Sequence, residues 1–217
     1  MSTDDFAIYQ ALPLARDEVF ERVMRVFNRQ RVRFLNMARV ARFDPPLGFS
    51  YVHEQDLDDL DSPREALLAA TCWERLIMDF AHNELGFELH LYRGQAPHQQ
   101  LEVVAIRYSE VDSNLARSDP GRADRLLTLL QDLGGALDRS AMLCGSNLES
   151  EAYSAAELER HFAEHLATPV ERDDNAIHTA LFPDPVLARL ASAPGLAAFA
   201  HQQVEPDYSM VTLLLPP

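Results

Sequence analysis

The stretch that most constrains the fold runs from residue 62 to residue 108, where the hydrophobic period changes from 3.6 to 2. Ser62-Pro63 pairs a helix-capping residue with a proline suited to the first helical position. Gly86 has the character of a C-terminal stop. Between them, apolar residues recur at the spacing of one helix face, at Ala66, Ala69, Trp73, Leu76, Ile77 and Phe80. The pattern predicts a central helix over about residues 62–84.

The next residues show the period of a strand. Phe87, Leu89 and Leu91 alternate with polar neighbours, which is typical of a half-buried strand. Residues 101–108 are apolar on both faces, as a central strand would be. We therefore predict that the central helix is followed by a hairpin of residues 87–93 and 101–108, with Trp73 and Phe80 lying on its sheet.

The remaining chain mixes helical stripes with short apolar or alternating runs. Helices are predicted at residues 14–28, 118–137, 154–166 and 185–193. Strands are predicted at residues 6–12, 31–43, 49–53, 141–145, 176–182 and 209–215. The order predicts an α+β fold with a mixed, mostly antiparallel sheet packed by three or four helices. A strand, a helix and a strand in succession between residues 101 and 145 indicate a crossover, so part of the sheet is expected to be parallel.

Length and composition predict one domain covering residues 1–217. The chain can bury enough surface for a core, and residues 44–48 are its one plausible internal break. No apolar run is long enough for a membrane span, and the start lacks a hydrophobic signal region. Cys72 and Cys144 form no CxxC pair, and we interpret them as reduced, buried thiols. The cytoplasm is the predicted compartment.

Charge is unevenly distributed along the chain. All 19 basic residues are arginine, a bias typical of a GC-rich bacterial genome, and the net charge is −15. Residues 1–43 carry eight arginines against five acids, whereas residues 44–217 carry 11 against 29. Such acidity disfavours binding to nucleic acid or anionic lipid and favours basic partners. The arginines at residues 22–42 are expected to pair with the acidic half or to form a subunit contact, with phosphate recognition as the alternative.

The acidic segment EQDLDDLD, residues 54–61, is the candidate partner-binding site. Its carboxylates are Glu54, Asp56, Asp58, Asp59 and Asp61. We expect a loop before the central helix, with an aromatic anchor beside it. A calcium loop is the alternative, but leucines interrupt the acids and the required glycine is missing. A solvated loop with no partner is the third interpretation.

Another pattern, His161-Phe162-Ala163-Glu164-His165, falls on a predicted helix and matches H-x-x-E-H. In these five residues the chain resembles the inverzincin family. That resemblance implies zinc held by His161 and His165 with Glu164 as the base. Placed on a helical wheel, both histidines flank the apolar stripe, as partly exposed helix-edge residues would.

Our preferred functional hypothesis is a cytoplasmic bacterial protein that binds and inhibits a basic protein. Its most concrete version is an acidic immunity-type protein that neutralises a basic toxin. No nucleophile, phosphate-binding or dinucleotide motif is present, and neither a cofactor nor a metal is expected. The alternatives are a metal-dependent hydrolase using the H-x-x-E-H helix and a homo-oligomeric ligand-binding protein, and the oligomeric state is left open.

Overall fold

The computed structural model describes residues 5–10, 16–43, 51–70, 74–92, 103–108, 119–137, 141–146, 155–167 and 177–213. The strands are β1 Asp5–Gln10, β2 Arg33–Phe43, β3 Tyr51–Leu57, β4 Arg75–His82, β5 Leu85–Tyr92, β6 Val103–Tyr108, β7 Ala141–Ser146, β8 Ile177–Pro183, β9 Phe199–Glu205 and β10 Tyr208–Leu213. The helices are α1 Arg16–Gln30, α2 Pro63–Ala69, α3 Pro120–Ala136, α4 Ala155–Leu166 and α5 Asp184–Leu190, with a 3₁₀ helix at Pro194–Ala198.

All ten strands belong to one sheet, in the order β3-β2-β4-β5-β6-β1-β7-β8-β10-β9. Every described pair is antiparallel. The predicted α+β class and the mostly antiparallel sheet are therefore confirmed. The predicted crossover joins two strands that run in the same direction, but these strands are not paired with each other. Strands β6 and β7, joined through α3, run the same way, but β1 lies between them and pairs with both.

One face of the sheet, which we call face A, carries the larger core. Helix α1 buries Val19, Val23 and Phe27, and α3 buries a similar stripe of leucines against the same cluster. Phe27 packs edge-on against Phe80 of β4, with ring centroids 4.8 Å apart. Buried side chains of β7, β8 and β10 also belong to this cluster, so face A extends across both halves of the sheet.

The opposite face, face B, has a second and smaller core. Over β7, β8, β10 and β9 it is apolar and is covered by α4, α5 and the 3₁₀ helix. Phe162 of α4 is its centre, stacking on Phe182 and meeting Phe199 edge-on. Alternation along each strand separates the two cores, because Met142 faces A while Leu143 faces B.

The predicted central helix over residues 62–84 is wrong beyond its first two turns. Ser62 does cap a helix, and Pro63 begins it, but α2 ends at Ala69. Residues 75–82 instead form β4, buried on both faces. A spacing of four residues keeps side chains on one side of a helix and also on one side of a strand, so the apolar pattern was ambiguous.

The turn after β4 also differs from the prediction. Gly86 was expected to stop a helix, but it lies within β5, opposite Ala81. The chain reverses at Asn83 and Glu84, whose φ angles of 49° and 70° are both left-handed. Two such residues form the two-residue turn that joins twisted antiparallel strands. The predicted pairing of residues 87–93 with 101–108 is confirmed where described, as β5 with β6.

Two smaller predictions are also resolved. Residues 54–57, expected in a loop, extend β3, and Leu57 pairs with Ala38. Cys144 is a buried free thiol, as predicted. Cys72, Trp73 and the predicted cap Ser154 lie outside the described residues, as does the break at 44–48.

Candidate functional site

The predicted partner-binding residues lie along one edge of the sheet and in the turn that follows it. Glu54 and Asp56 belong to β3, the edge strand, and both are exposed. They face the same side as Ala41 and Arg39, their cross-strand neighbours on β2. Asp58, Asp59 and Asp61 follow in the turn to α2 and are also exposed. We call these five residues the acidic patch.

The acidic patch is not neutralised within the part of the chain that the structure describes. None of its five carboxylates forms an ion pair there, whereas several carboxylates elsewhere in the described chain pair with arginines. Examples are Arg29 with Asp132 at 2.9 Å and Arg189 with Glu159 at 2.7 Å. The order of the turn comes from its backbone instead: the Asp61 N–H donates to Glu65 Oε2 at 2.9 Å, and Asp59 has a φ of 56°.

A second polar constellation lies on face B, inside the sheet. Arg75 of β4 and His90 of β5 are buried, and Arg75 Nη2 lies 2.7 Å from His90 Nδ1. The other ring nitrogen, Nε2, lies 2.7 Å from Glu88 Oε2. Glu88 Oε1 accepts a hydrogen bond from Arg39 Nη2 at 2.5 Å. The four side chains form a chain of contacts, the face-B network, from the interior to the half-exposed Arg39 on β2.

The face-B network determines the protonation of its histidine. A guanidinium only donates hydrogen bonds, so Nδ1 of His90 must accept from Arg75. Nε2 therefore carries the proton and donates it to Glu88. Both ring nitrogens are occupied and the side chain is inaccessible to solvent, so His90 has no nitrogen available to act as a general base. The network orders charged side chains within the sheet.

Asp79 lies beside the face-B network. It is directly opposite Glu88 in the pairing of β4 with β5. Desolvation by burial raises the pKa of Asp79, the adjacent Glu88 carboxylate raises it further, and Arg39 lowers it in part. Like charges directly opposite one another in a sheet are unfavourable, so this pair costs stability once Asp79 is ionised.

The H-x-x-E-H residues are on a helix, as predicted, but no third metal ligand joins them from the part of the chain that the structure describes. His161 and His165 lie four apart on α4 and are half-buried, at the positions expected for helix-edge residues. The ring of His165 packs edge-on against Phe199, and Glu164 pairs with Arg160 at 2.8 Å. Within the described residues, no group of three or more His, Cys, Asp and Glu side chains could hold a metal ion.

The arginines of residues 22–42 were expected to pair with the acidic half or to form a subunit contact, and two of them do pair with that half. Arg29 pairs with Asp132 and Arg39 with Glu88, whereas Arg22 pairs with Glu18 of its own helix. Arg25 does not pair with a carboxylate among the described residues; its Nε donates a hydrogen bond to the Glu21 backbone carbonyl of its own helix.

The face-B network was missed by the sequence analysis. The alternation of Glu88 and His90 with apolar residues placed both on one strand face, but their partner Arg75 was assigned to a helix. Reading residues 75–82 as a strand would have aligned Arg75, Asp79, Glu88 and His90 on one face.

The chain was also compared with known protein families, proteins and structures. No protein-family model, curated protein or solved structure matches the chain. None of the described helices is both long enough and apolar enough to cross a membrane.

Proposed function

We propose that this protein binds and neutralises a basic protein partner through the acidic patch, without chemistry of its own. Its most concrete form is an immunity-type protein acting against a basic toxin. The observation that carries the proposal is that all five carboxylates of the patch are exposed and form no ion pair in the described part of the chain.

Electrostatics favour this surface as the contact. Unpaired carboxylates close together in sequence and at one sheet edge repel one another, and a basic partner relieves that repulsion. Charge complementarity also speeds encounter and selects against acidic competitors. Among the described strands β3 lies at the edge of the sheet, and an extended basic segment can hydrogen-bond to the outer backbone groups of such a strand.

An apolar anchor is available beside the acidic patch. Helix α2 follows the patch directly, and it buries Ala66 and Leu67 against the core. Leu68, in contrast, is 62% exposed. Burying an exposed leucine under a partner removes apolar surface from water and so contributes favourably to binding. We therefore propose Leu68 as an aliphatic anchor, and the aromatic anchor expected from the sequence stays a prediction.

The test begins with the immobilised protein and lysate of its source, at low and at physiological salt, with retained proteins identified by mass spectrometry. The dissociation constant of the retained basic protein is then measured for the triple variant Asp56→Asn, Asp58→Asn, Asp59→Asn. Asparagine tolerates the left-handed backbone of Asp59. We expect affinity to fall at least about tenfold, with a weaker dependence on salt.

A matched control has the same change of net charge elsewhere. Asp17, Asp124 and Asp207 are exposed, and Asp207 also has a left-handed φ of 67°. The triple variant Asp17→Asn, Asp124→Asn, Asp207→Asn should keep the affinity of the natural protein. Equal losses in both triples, or retention of no basic protein, would contradict the proposal. If only the patch variant self-associates, with unchanged affinity, the carboxylates instead protect the edge of β3.

A further inference from the structure

A cavity on face A has no part in the proposed partner binding. It has a volume of about 610 Å³ and lies between α1 and α3, with β8 and β9 contributing to its wall. Its lining residues are Arg22, Arg25, Val26, Arg29, Gln131, Asp132, Gly135, Ala136, Leu181, Val204 and Glu205. The volume lies within the range of small-molecule sites in proteins.

The charge of the cavity is opposite in sign to that of the protein. Arg22, Arg25 and Arg29 are spaced three and four residues apart, so consecutive turns of α1 present them on one side. Among the described residues, two carboxylates, Asp132 and Glu205, line the cavity together with the three arginines. In a chain of net charge −15, the described lining therefore carries an excess of positive charge. Such a concave basic surface concentrates small anions.

Two of the three arginines are held in place. Arg22 Nη1 donates to the Ala136 carbonyl at 3.1 Å, which ties α1 to α3, and its Nη2 donates to Glu18 at 2.8 Å. Arg29 pairs with Asp132 at 2.9 Å. These contacts fix the walls of the cavity, so a ligand would meet an ordered site.

Arg25 is the cation of the cavity that remains available. Its Nε donates to the Glu21 carbonyl at 3.3 Å, and its side chain is exposed. Among the described residues, no carboxylate lies within ion-pair distance of it. Its two terminal nitrogens can therefore donate in parallel to one anion, the fork geometry that suits phosphate.

The rest of the lining suits an organic body attached to the anion. Val26, Ala136, Leu181 and Val204 supply an apolar wall. The Gln131 side-chain amide donates to the Met210 sulfur at 3.6 Å. Because a thioether is a weak acceptor, a ligand oxygen in the cavity would be a better partner for this amide.

We propose that this cavity binds a small organic phosphate. The phosphate lies at the Arg25 guanidinium, in the field of Arg22 and Arg29, and the organic body packs against Val26 and Val204. The proposal does not rest on the partner-binding function, because the acidic patch lies at β3 and shares no residue with the cavity.

The test titrates the natural protein with phenyl phosphate and with inorganic phosphate by calorimetry at low salt. Phenyl phosphate should bind saturably and more tightly than inorganic phosphate, because only the ester reaches the apolar wall. Arg25→Glu should weaken its binding at least about tenfold, the loss expected for a charge-assisted hydrogen bond. The matched control is Arg160→Glu, the same charge change on the exposed side of α4, which should bind like the natural protein.

Three results would overturn the proposal. The first is no saturable binding of phenyl phosphate. The second is an equal loss in Arg25→Glu and Arg160→Glu, which would show an effect of net charge alone. The third is equal affinity for the ester and for inorganic phosphate, which would mean that the apolar wall contributes nothing. Circular dichroism of both variants confirms that each is folded before titration.

Discussion

Face B changes its chemistry from one half of the sheet to the other. Over β7, β8 and β10 it presents Leu143, Phe182 and Val211, which pack beneath α4 and α5. Over β2, β4 and β5 the same face presents the face-B network, from the buried Arg75 and His90 to Arg39 at its margin. On face B, both halves contain fully buried side chains. Apolar packing stabilises the half formed by β7, β8 and β10, whereas directed hydrogen bonds link the side chains of the half formed by β2, β4 and β5.

The difference concerns how strictly each half specifies its structure. An apolar layer tolerates exchanges of similar volume, because its contacts have no direction. A buried polar chain tolerates far less, since each donor must meet its acceptor and an unmatched group costs its full desolvation. A slip of one residue between β4 and β5 would move Arg75 to the opposite face from His90. The face-B network therefore adds to the two-residue turn at Asn83 and Glu84 in specifying the register of β4 against β5.

The largest expected effect comes from breaking the apolar half. Phe162→Ala removes the ring at the centre of the smaller core, where it meets Phe182 and Phe199. We expect the free energy of unfolding, measured by urea denaturation, to fall by about 3–5 kcal/mol. Arg160→Ala on the exposed side of the same helix should change it by less than about 0.5 kcal/mol. A loss below about 1 kcal/mol for Phe162→Ala would show that this half is not held by its core.

A double-mutant cycle tests the polar half. His90→Leu leaves Arg75 and Glu88 without their shared partner, and we expect a loss of about 1–3 kcal/mol in the free energy of unfolding. Arg75→Leu should cost a similar amount. The double variant should lose less than the sum of the two, by about 0.5–3 kcal/mol, because the second change removes a group already left unpaired. Additive losses would show that the two side chains act independently.

The smallest effect concerns Asp79, at the edge of the face-B network. Its folded-state pKa is raised from 3.8, so the folded state binds more protons than the unfolded state above that pH. Stability is therefore lost as pH rises through the raised pKa, and the loss persists at neutral pH. Asp79→Asn should be more stable than the natural protein at pH 7, by less than about 1 kcal/mol because the group is half-exposed.

The pH dependence identifies the cause of that difference. The advantage of Asp79→Asn should shrink as pH falls towards 3.8 and vanish well below it, where the natural carboxyl is protonated in both the folded and the unfolded state. Thermal melts of the natural protein and of Asp79→Asn across the same pH range measure this trend. A variant at Asp79 that is less stable than the natural protein at pH 7 would mean that the ionised carboxylate is favourable here.

The apolar face of each single helix or strand was predictable from the sequence, but which elements lie next to one another was not. The apolar stripes of α1, α3 and α4 and the alternation of Phe87, Leu89 and Leu91 each depend on one local period. The prediction of a helix over residues 75–82 failed because Leu76 and Phe80 satisfy both helix and strand spacing. The turn at Asn83 and Glu84 was not predicted, because Gly86 was interpreted as the end of a helix.

The acidic patch, the face-B network and the cavity were predictable from the sequence to different degrees. The acidic patch follows from composition, since five acids in eight residues seldom lie buried. The face-B network required knowing the pairing of β4 with β5, and the cavity required knowing that α1 lies beside α3. Neither can be read from a spacing along the chain. The H-x-x-E-H pattern is the opposite case, in which the local prediction of a helix was right but the tertiary surroundings could not be predicted. Within the described residues, no third metal ligand lies beside it.

The position of β1 has a consequence for the order of folding. Within the sheet, β1 alone joins the half ending at β6 to the half beginning at β7. Its partners lie about a hundred and about 135 residues further along the chain. Such long-range pairing slows folding, because a large loop must close before any contact forms. During synthesis β1 is made before both of its partner strands, so we expect the nascent chain to depend on protection of β1 until β7 has emerged.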